Sequence, residues 1–175
     1  MTTSGADPGI EVDRPAPAME IRAMAPSDRA RLERFHRSLS DDTTRLRYFA
    51  VHRFLTEAEL ERFTNVDHRD REAFVALVDD EIVGVARFDR MGPGADAEVA
   101  FVVADAWQGR GVGTALMARL EARAHAVGVE RFVANTMPGN TRMLALLHEG
   151  HHPVRVSWDR GIARAVVELD VPDQA

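Results

Sequence analysis

No stretch constrains this 175-residue chain more than Gln108-Gly109-Arg110-Gly111-Val112-Gly113-Thr114. It follows the most strand-like segment, Ala97 to Ala104 (AEVAFVVA), and leads into an amphipathic pattern from Thr114 to Val127 that Gly128 ends. Strand, glycine-rich turn and helix in that order make an α/β unit. Glycines remove side chains, so backbone N–H groups can converge on one point. The helix behind them adds the positive end of its dipole. The product is a cradle for a phosphate or pyrophosphate, with Arg110 supplying charge and Thr114 a hydroxyl. The alternative reading of the same glycines is close packing of helix on strand.

Two familiar phosphate loops do not fit. A P-loop ends in Gly-Lys-Ser/Thr, and this chain has no lysine, all 22 basic residues being arginine. A dinucleotide fingerprint needs Gly-x-Gly-x-x-Gly, whereas Gly109, Gly111 and Gly113 are spaced two and two. What remains is Gln-x-x-Gly-x-Gly. The lack of lysine reads as codon bias or as avoidance of modifying the chain's own amines. Either way it excludes a lysine Schiff base. The lack of cysteine excludes disulfides, thiolate metal sites and a cysteine nucleophile.

Elsewhere the chain alternates strand and helix signals. Residues 1 to 17 are rich in Gly, Pro and acidic residues and read as a disordered arm. A first strand covers Met19 to Met24, and Asp28 N-caps a helix carrying Leu32, Phe35 and Leu39. Asp41 to Thr44 cap a short second helix, and Thr56 with Glu59 form a capping box for a third. Ala73 to Val78 and Ile82 to Phe88 form a hairpin through Asp79-Asp80-Glu81. After the central helix come a strand at 131–135, a helix from Asn140 to His148, and strands at 154–158 and 163–171. The whole is a mixed α/β domain with one dominant sheet.

Gln108, Gly111 and Gly113 match the Gln/Arg-x-x-Gly-x-Gly/Ala signature, and with Asn140 and the run Arg142 to Leu146 ending at Gly150 the chain resembles the GNAT superfamily of acyl-CoA-dependent N-acetyltransferases. The likeness spans roughly residues 19 to 171. The segments His36 to Ser40, Thr44 to Phe49 and Ala97 to Gly111 are similar to the bacterial protein-lysine acetyltransferase (Pat-like) branch. The resemblance implies a GNAT fold over residues 18–175. That fold is a mixed, mainly antiparallel central sheet of six to seven strands with helices on both faces. It implies acetyl-CoA as co-substrate, its pyrophosphate on the backbone of Gly109, Arg110, Gly111, Val112, Gly113 and Thr114, with Gln108 in the motif. The pantetheine arm would pair like an added strand beside Phe101 and Val103. Asn140 would contact the cofactor; its alternative role is to N-cap the following helix, and both can hold.

Glu98 is the expected proton acceptor. An ammonium cannot attack a thioester until it loses a proton. Strand alternation sets Glu98 on one face with Ala100 and Val102, and partial burial there would raise its pKa toward the useful range. The resemblance points to the same position; the alternative is a solvent-facing edge residue. Many family members place a tyrosine general acid where this chain has Leu147, and its single tyrosine is Tyr48, so no general acid is assigned. His148, His151 and His152 straddle a helix stop at Gly150 and are read as turn residues; no metal is expected.

A formal charge of −6 and pI near 5.6 argue against nucleic acid, and no apolar run or leader points to a membrane or export, so the expectation is a cytoplasmic protein. The acceptor is expected to be a primary amine, first a protein lysine, with room for a homodimer. The rivals are a small-molecule amine acceptor and a non-catalytic acyl-CoA-binding module.

Overall fold

The computed structural model describes residues 18–150 and 152–169. The expected arm at 1–17, His151 and the end of the last strand therefore lie outside the described residues. Seven strands form one sheet in the order β1-β2-β3-β4-β5-β7-β6. They are β1 (Glu20–Ala23), β2 (Arg71–Val78), β3 (Glu81–Arg90), β4 (Asp96–Val103), β5 (Arg131–Thr136), β6 (Val154–Asp159) and β7 (Ile162–Glu168). Five helices accompany them: α1 (Arg29–Ser38), α2 (Asp41–Tyr48), α3 (Glu57–Thr64), α4 (Val112–Ala126) and α5 (Thr141–Glu149). None of the described helices is long and apolar enough to cross a membrane.

The unbroken apolar run of β2 has a simple cause: both faces of the strand are covered. Phe74, Ala76 and Val78 pack on the α4 side, while Ala73, Val75 and Leu77 pack beneath α1 and α3 with Leu32, Phe35 and Leu60. Helix α4 buries Val112, Leu116, Leu120 and Ala124, spaced four apart, and the fifth such residue is Met117. It lies close to the sheet because Gly84 has no side chain; a Cβ there would stand 2.9 Å from Val112 Cγ1. The β2–β3 turn is the expected one, with Asp79 and Asp80 both at positive φ.

Three caps differ from expectation. Asp28 does not cap α1 with its side chain. Its buried carboxylate accepts two hydrogen bonds from Arg22, at 2.6 and 2.7 Å, and one from Ala25 N at 2.9 Å. The Arg22 guanidinium holds that carboxyl below the usual range. Helix α2 is capped by Ser40, whose Oγ accepts from Thr43 N at 3.1 Å. Helix α4 begins at Val112, two residues before the expected Thr114, because Gly111 supplies the left-handed turn that admits it. The Thr56–Glu59 capping box is present in full.

The sheet carries one irregularity that matters for the site. Only β4 and β5 run parallel, and they pair over three positions, Asp96↔Arg131, Ala97↔Phe132 and Glu98↔Val133. Beyond Glu98 the two strands part, while β4 stays paired with β3 as far as Val103↔Gly84. One edge of β4 is thus left open inside the sheet.

Candidate functional site

The opening between β4 and β5 becomes a groove of about 370 Å³. That size falls within the range of small-molecule sites. Its floor is Phe101, Val102 and Val103 of β4; one end is the glycine turn; one wall is α5 and the other is α2, through Thr43, Leu46 and Arg47.

The turn is built to present main chain. Gly109 and Gly111 sit at φ +71° and +79°, where a side chain would be strained. The first bond inside α4 runs from Ala115 N to Gly111 O at 3.0 Å. The N–H groups of Val112, Gly113 and Thr114 therefore have no acceptor within the helix and point outward with the dipole. Gly113 packs against a helix, not the strand foreseen as the alternative: a Cβ there would meet Leu146 Cδ2 at 3.4 Å, so α5 packs directly on the start of α4.

The polar side chains around the turn are mostly engaged with one another. Gln108 Nε2 donates to Val103 O at 3.0 Å and to Thr43 Oγ1 at 3.1 Å, and Gln108 Oε1 accepts from Arg142. Thr114 Oγ1 donates to Glu149 Oε2 at 2.6 Å. Asn140 Oδ1 accepts from Met143 N at 3.1 Å, so its capping role is realised. Arg110 is exposed and lies over the Trp107 ring at 5.3 Å. What the turn offers an anion is accordingly main-chain amides, with the exposed Arg110 beside them.

Of the residues expected at the site, eight meet in the groove: Phe101, Val103, Gln108, Gly109, Gly111, Gly113, Thr114 and Asn140. Val112 contributes backbone only, its side chain being 1% exposed in the core. Arg110 and Glu98 stand outside the lining. Glu98 is at the last paired position of β4 and β5 and is exposed, not half-buried as expected; its Oε1 accepts from Asn135 Nδ2 at 3.2 Å. It shares its face with Ala100 and Val102, opposite to Phe101 and Val103. Leu147 is buried in the core and offers nothing to a leaving group.

Sequence reasoning missed the α2 wall. Asp105, just after β4, reaches back to it: its carboxylate accepts from Ser40 N (3.0 Å), Ser40 Oγ (2.6 Å) and Thr43 Oγ1 (2.9 Å). Desolvation disfavours the ionised form, but these hydrogen bonds prevail and hold Asp105 below its ordinary value. The usable signal was Ser40 with Thr43, but Asp41 to Thr44 were read as a cap and Ser40 only as part of a segment of resemblance.

Behind that wall, on the Glu98 face of β4, a smaller cavity of about 30 Å³ lies beneath α1, α2 and α3. His36, Arg47, Tyr48 and Arg87 supply its polar lining, Ala100 and Val102 its floor. Arg47 and Val102 line both this cavity and the groove. Burial pushes the Tyr48 phenol up and the His36 imidazole down. Tyr48 packs against the rings of His36 (5.5 Å) and His52 (4.6 Å), and Arg87 is clamped on Asp89 by bonds of 2.7 to 3.0 Å.

Comparisons with known proteins agree on one family. Residues 32–151 match the family described as acetyltransferase (GNAT) family. The chain is 36% identical over 155 residues to the acetyltransferase Pat of Mycolicibacterium smegmatis, covering 87% of this chain and 45% of that one. It spans about half the length of the curated relatives it matches. The GNAT domain of S. lividans PAT superposes with a TM-score of 0.81 at 33% identity, covering 85% of this chain and 89% of that one. Salmonella typhimurium yncA, solved with its cofactor acetyl-CoA, shares the fold at a TM-score of 0.71 and 21% identity, covering 90% and 96%.

Proposed function

This chain belongs to the acetyltransferase (GNAT) family, and from that premise we propose that it moves the acetyl group of acetyl-CoA to a primary amine, first a protein lysine side chain, in the cytoplasm. Residues 18–175 act as one catalytic domain. The observation that carries this reading is the open β4 edge ending at the free amides of α4. An extended arm can lie along such an edge as an added strand while its diphosphate meets the N–H groups of Val112, Gly113 and Thr114. Gly109 and Gly111 keep that approach clear of side chains.

Transfer is direct, with both substrates bound. Glu98, through a water, takes a proton from the ammonium; the neutral amine nitrogen attacks the thioester carbon. The new C–N bond forms as the C–S bond breaks, and the nitrogen's surplus proton passes to solvent. CoA leaves as a thiolate, a good leaving group, which suits a site without a general acid. With no cysteine in the chain, an acyl-thiol intermediate is unavailable. Oriented binding supplies much of the acceleration.

Calorimetric titration with CoA and acetyl-CoA tests the binding half, and mass spectrometry of a lysine-containing protein beside a panel of free amines tests the acceptor. No heat with either CoA species ends the whole reading. Binding without acetylation of any acceptor makes the chain a binding module, and turnover of free amines alone replaces lysine by a small-molecule acceptor.

A further inference from the structure

Strand β6 closes one end of the sheet and, among the described residues, nothing pairs with its outer side. The phase of its pairing is fixed. Glu168 N donates to Pro153 O at 3.0 Å, and the hairpin closes through Arg160 and Gly161, both at positive φ. Hydrogen-bonded pairs with β7 therefore fall at residues 153, 155, 157 and 159. Val154, Val156 and Trp158 consequently turn their N–H and C=O groups outward. Two devices that blunt such an edge are missing, since β6 contains no proline and pairs with β7 without a bulge; its charges are Arg155 and Asp159, of opposite sign. Its side chains are open as well. Val156 is 37% and Trp158 59% exposed, although they share a face with the buried Ala163 and Ala165.

We propose that β6 is a self-complementary docking edge, and that a second copy of this chain pairs with it antiparallel about a two-fold axis through Ser157. Charge selects that register. It sets Arg155 of one copy across from Asp159 of the other, twice, and Val156 across from Trp158, twice. The outward groups of Val156 and Trp158 then exchange about four backbone hydrogen bonds, and the charged pairs fall at the closely spaced, non-hydrogen-bonded positions. Among the described residues Arg155 reaches Glu168, while the nearest cation to Asp159 is Arg160 Nε at 4.0 Å. Asp159 is thus the poorly matched member that a partner's Arg155 completes. Shifting the two-fold by one position to Val156 sets Arg155 against Ser157 and gives up both charge pairs. Two Val156–Trp158 contacts continue the apolar face across the axis, and the two sheets become one. The interface is small, so association is reversible and dependent on concentration.

The absence of cysteine makes the register directly testable. In Ser157→Cys the two thiols face each other across the axis, at a Cα separation of about 4.5 Å that a disulfide accepts. Under mild oxidation this variant should cross-link quantitatively, and Val156→Cys, the axis residue of the shifted register, should lag by at least about tenfold. Sedimentation of the unmodified chain should show a mass rising from 19.4 kDa toward twice that value with concentration. Val156→Pro removes only an outward N–H, which leaves the hairpin intact and should abolish the dimer. Asp159→Arg should weaken it about tenfold, and Arg155→Asp with Asp159→Arg should restore it. A monomer at every concentration overturns the proposal. So does a dimer indifferent to Val156→Pro and to the charge reversal, or one cross-linked faster through Val156→Cys.

Discussion

The two spaces on either side of β4 are built from different materials. On the α4 side the groove presents main chain: Gly109 and Gly111 bare the amides, and the side chains of Gln108, Thr114 and Asn140 are tied to their neighbours. On the α1–α3 side the small cavity is lined by side chains, mostly apolar, with His36, Arg47, Tyr48 and Arg87 as its polar members. A backbone site tolerates side-chain change but not a change of φ; a side-chain site behaves the opposite way.

The sharpest way to break this contrast is Gly111→Val. No atom lies within 4 Å of the added Cβ, so the harm comes from forcing a branched residue to φ +79° and not from crowding. We expect CoA affinity to fall about a hundredfold by calorimetry, with the chain still folded. Next comes Glu98→Gln. Its exposed position outside the groove predicts unchanged CoA binding but a kcat lower by about a hundredfold. Unchanged turnover would remove Glu98 from the chemistry.

Asp105→Asn cuts the link between the two sides, because Asp105 ties α2 to the end of β4. CoA affinity should drop about tenfold, as hydrogen bonds to a charged group are lost. The sign of the pH effect follows from its lowered pKa. The carboxylate's contribution is complete above its ordinary value of 3.8 and disappears as pH falls through the lower folded value. The difference in melting temperature between wild type and Asp105→Asn should therefore be constant at pH 5 to 8 and shrink below about pH 4. The smallest effect is expected from Tyr48→Phe, which keeps the ring packing on His36 and His52. It should raise the acceptor KM by about threefold and leave CoA affinity alone.

The same division explains what could be read in advance. The turn was legible because its pattern is local: seven consecutive residues contain the glycines and the helix start. The strands were legible for a related reason, since β2 and β4 carry their burial pattern in their own sequence. The α2 wall was not, because Ser40 and Asp105 are 65 positions apart and neither is unusual alone. Nor was the parting of β4 and β5, which is a matter of where pairing stops and leaves no mark in composition. Glu98 was legible as an isolated carboxylate in an apolar strand, but its exposure was not, because that depends on what covers the strand. Gln108 was found by its motif, yet its bonds to Val103 and Thr43 needed the fold to bring them together.

The three-position seam between β4 and β5 has a mechanical consequence. Along the strands the sheet is two plates, β1 to β4 and β5 to β7, hinged at one corner and braced by α4 and α5. Whatever fills the gap between them works as a keystone. The empty chain should let the smaller plate loosen first, with amide exchange in β5 and β7 faster than in β2 and β3. The loaded chain should melt as one block, so that the substrate becomes a structural member of the protein that consumes it.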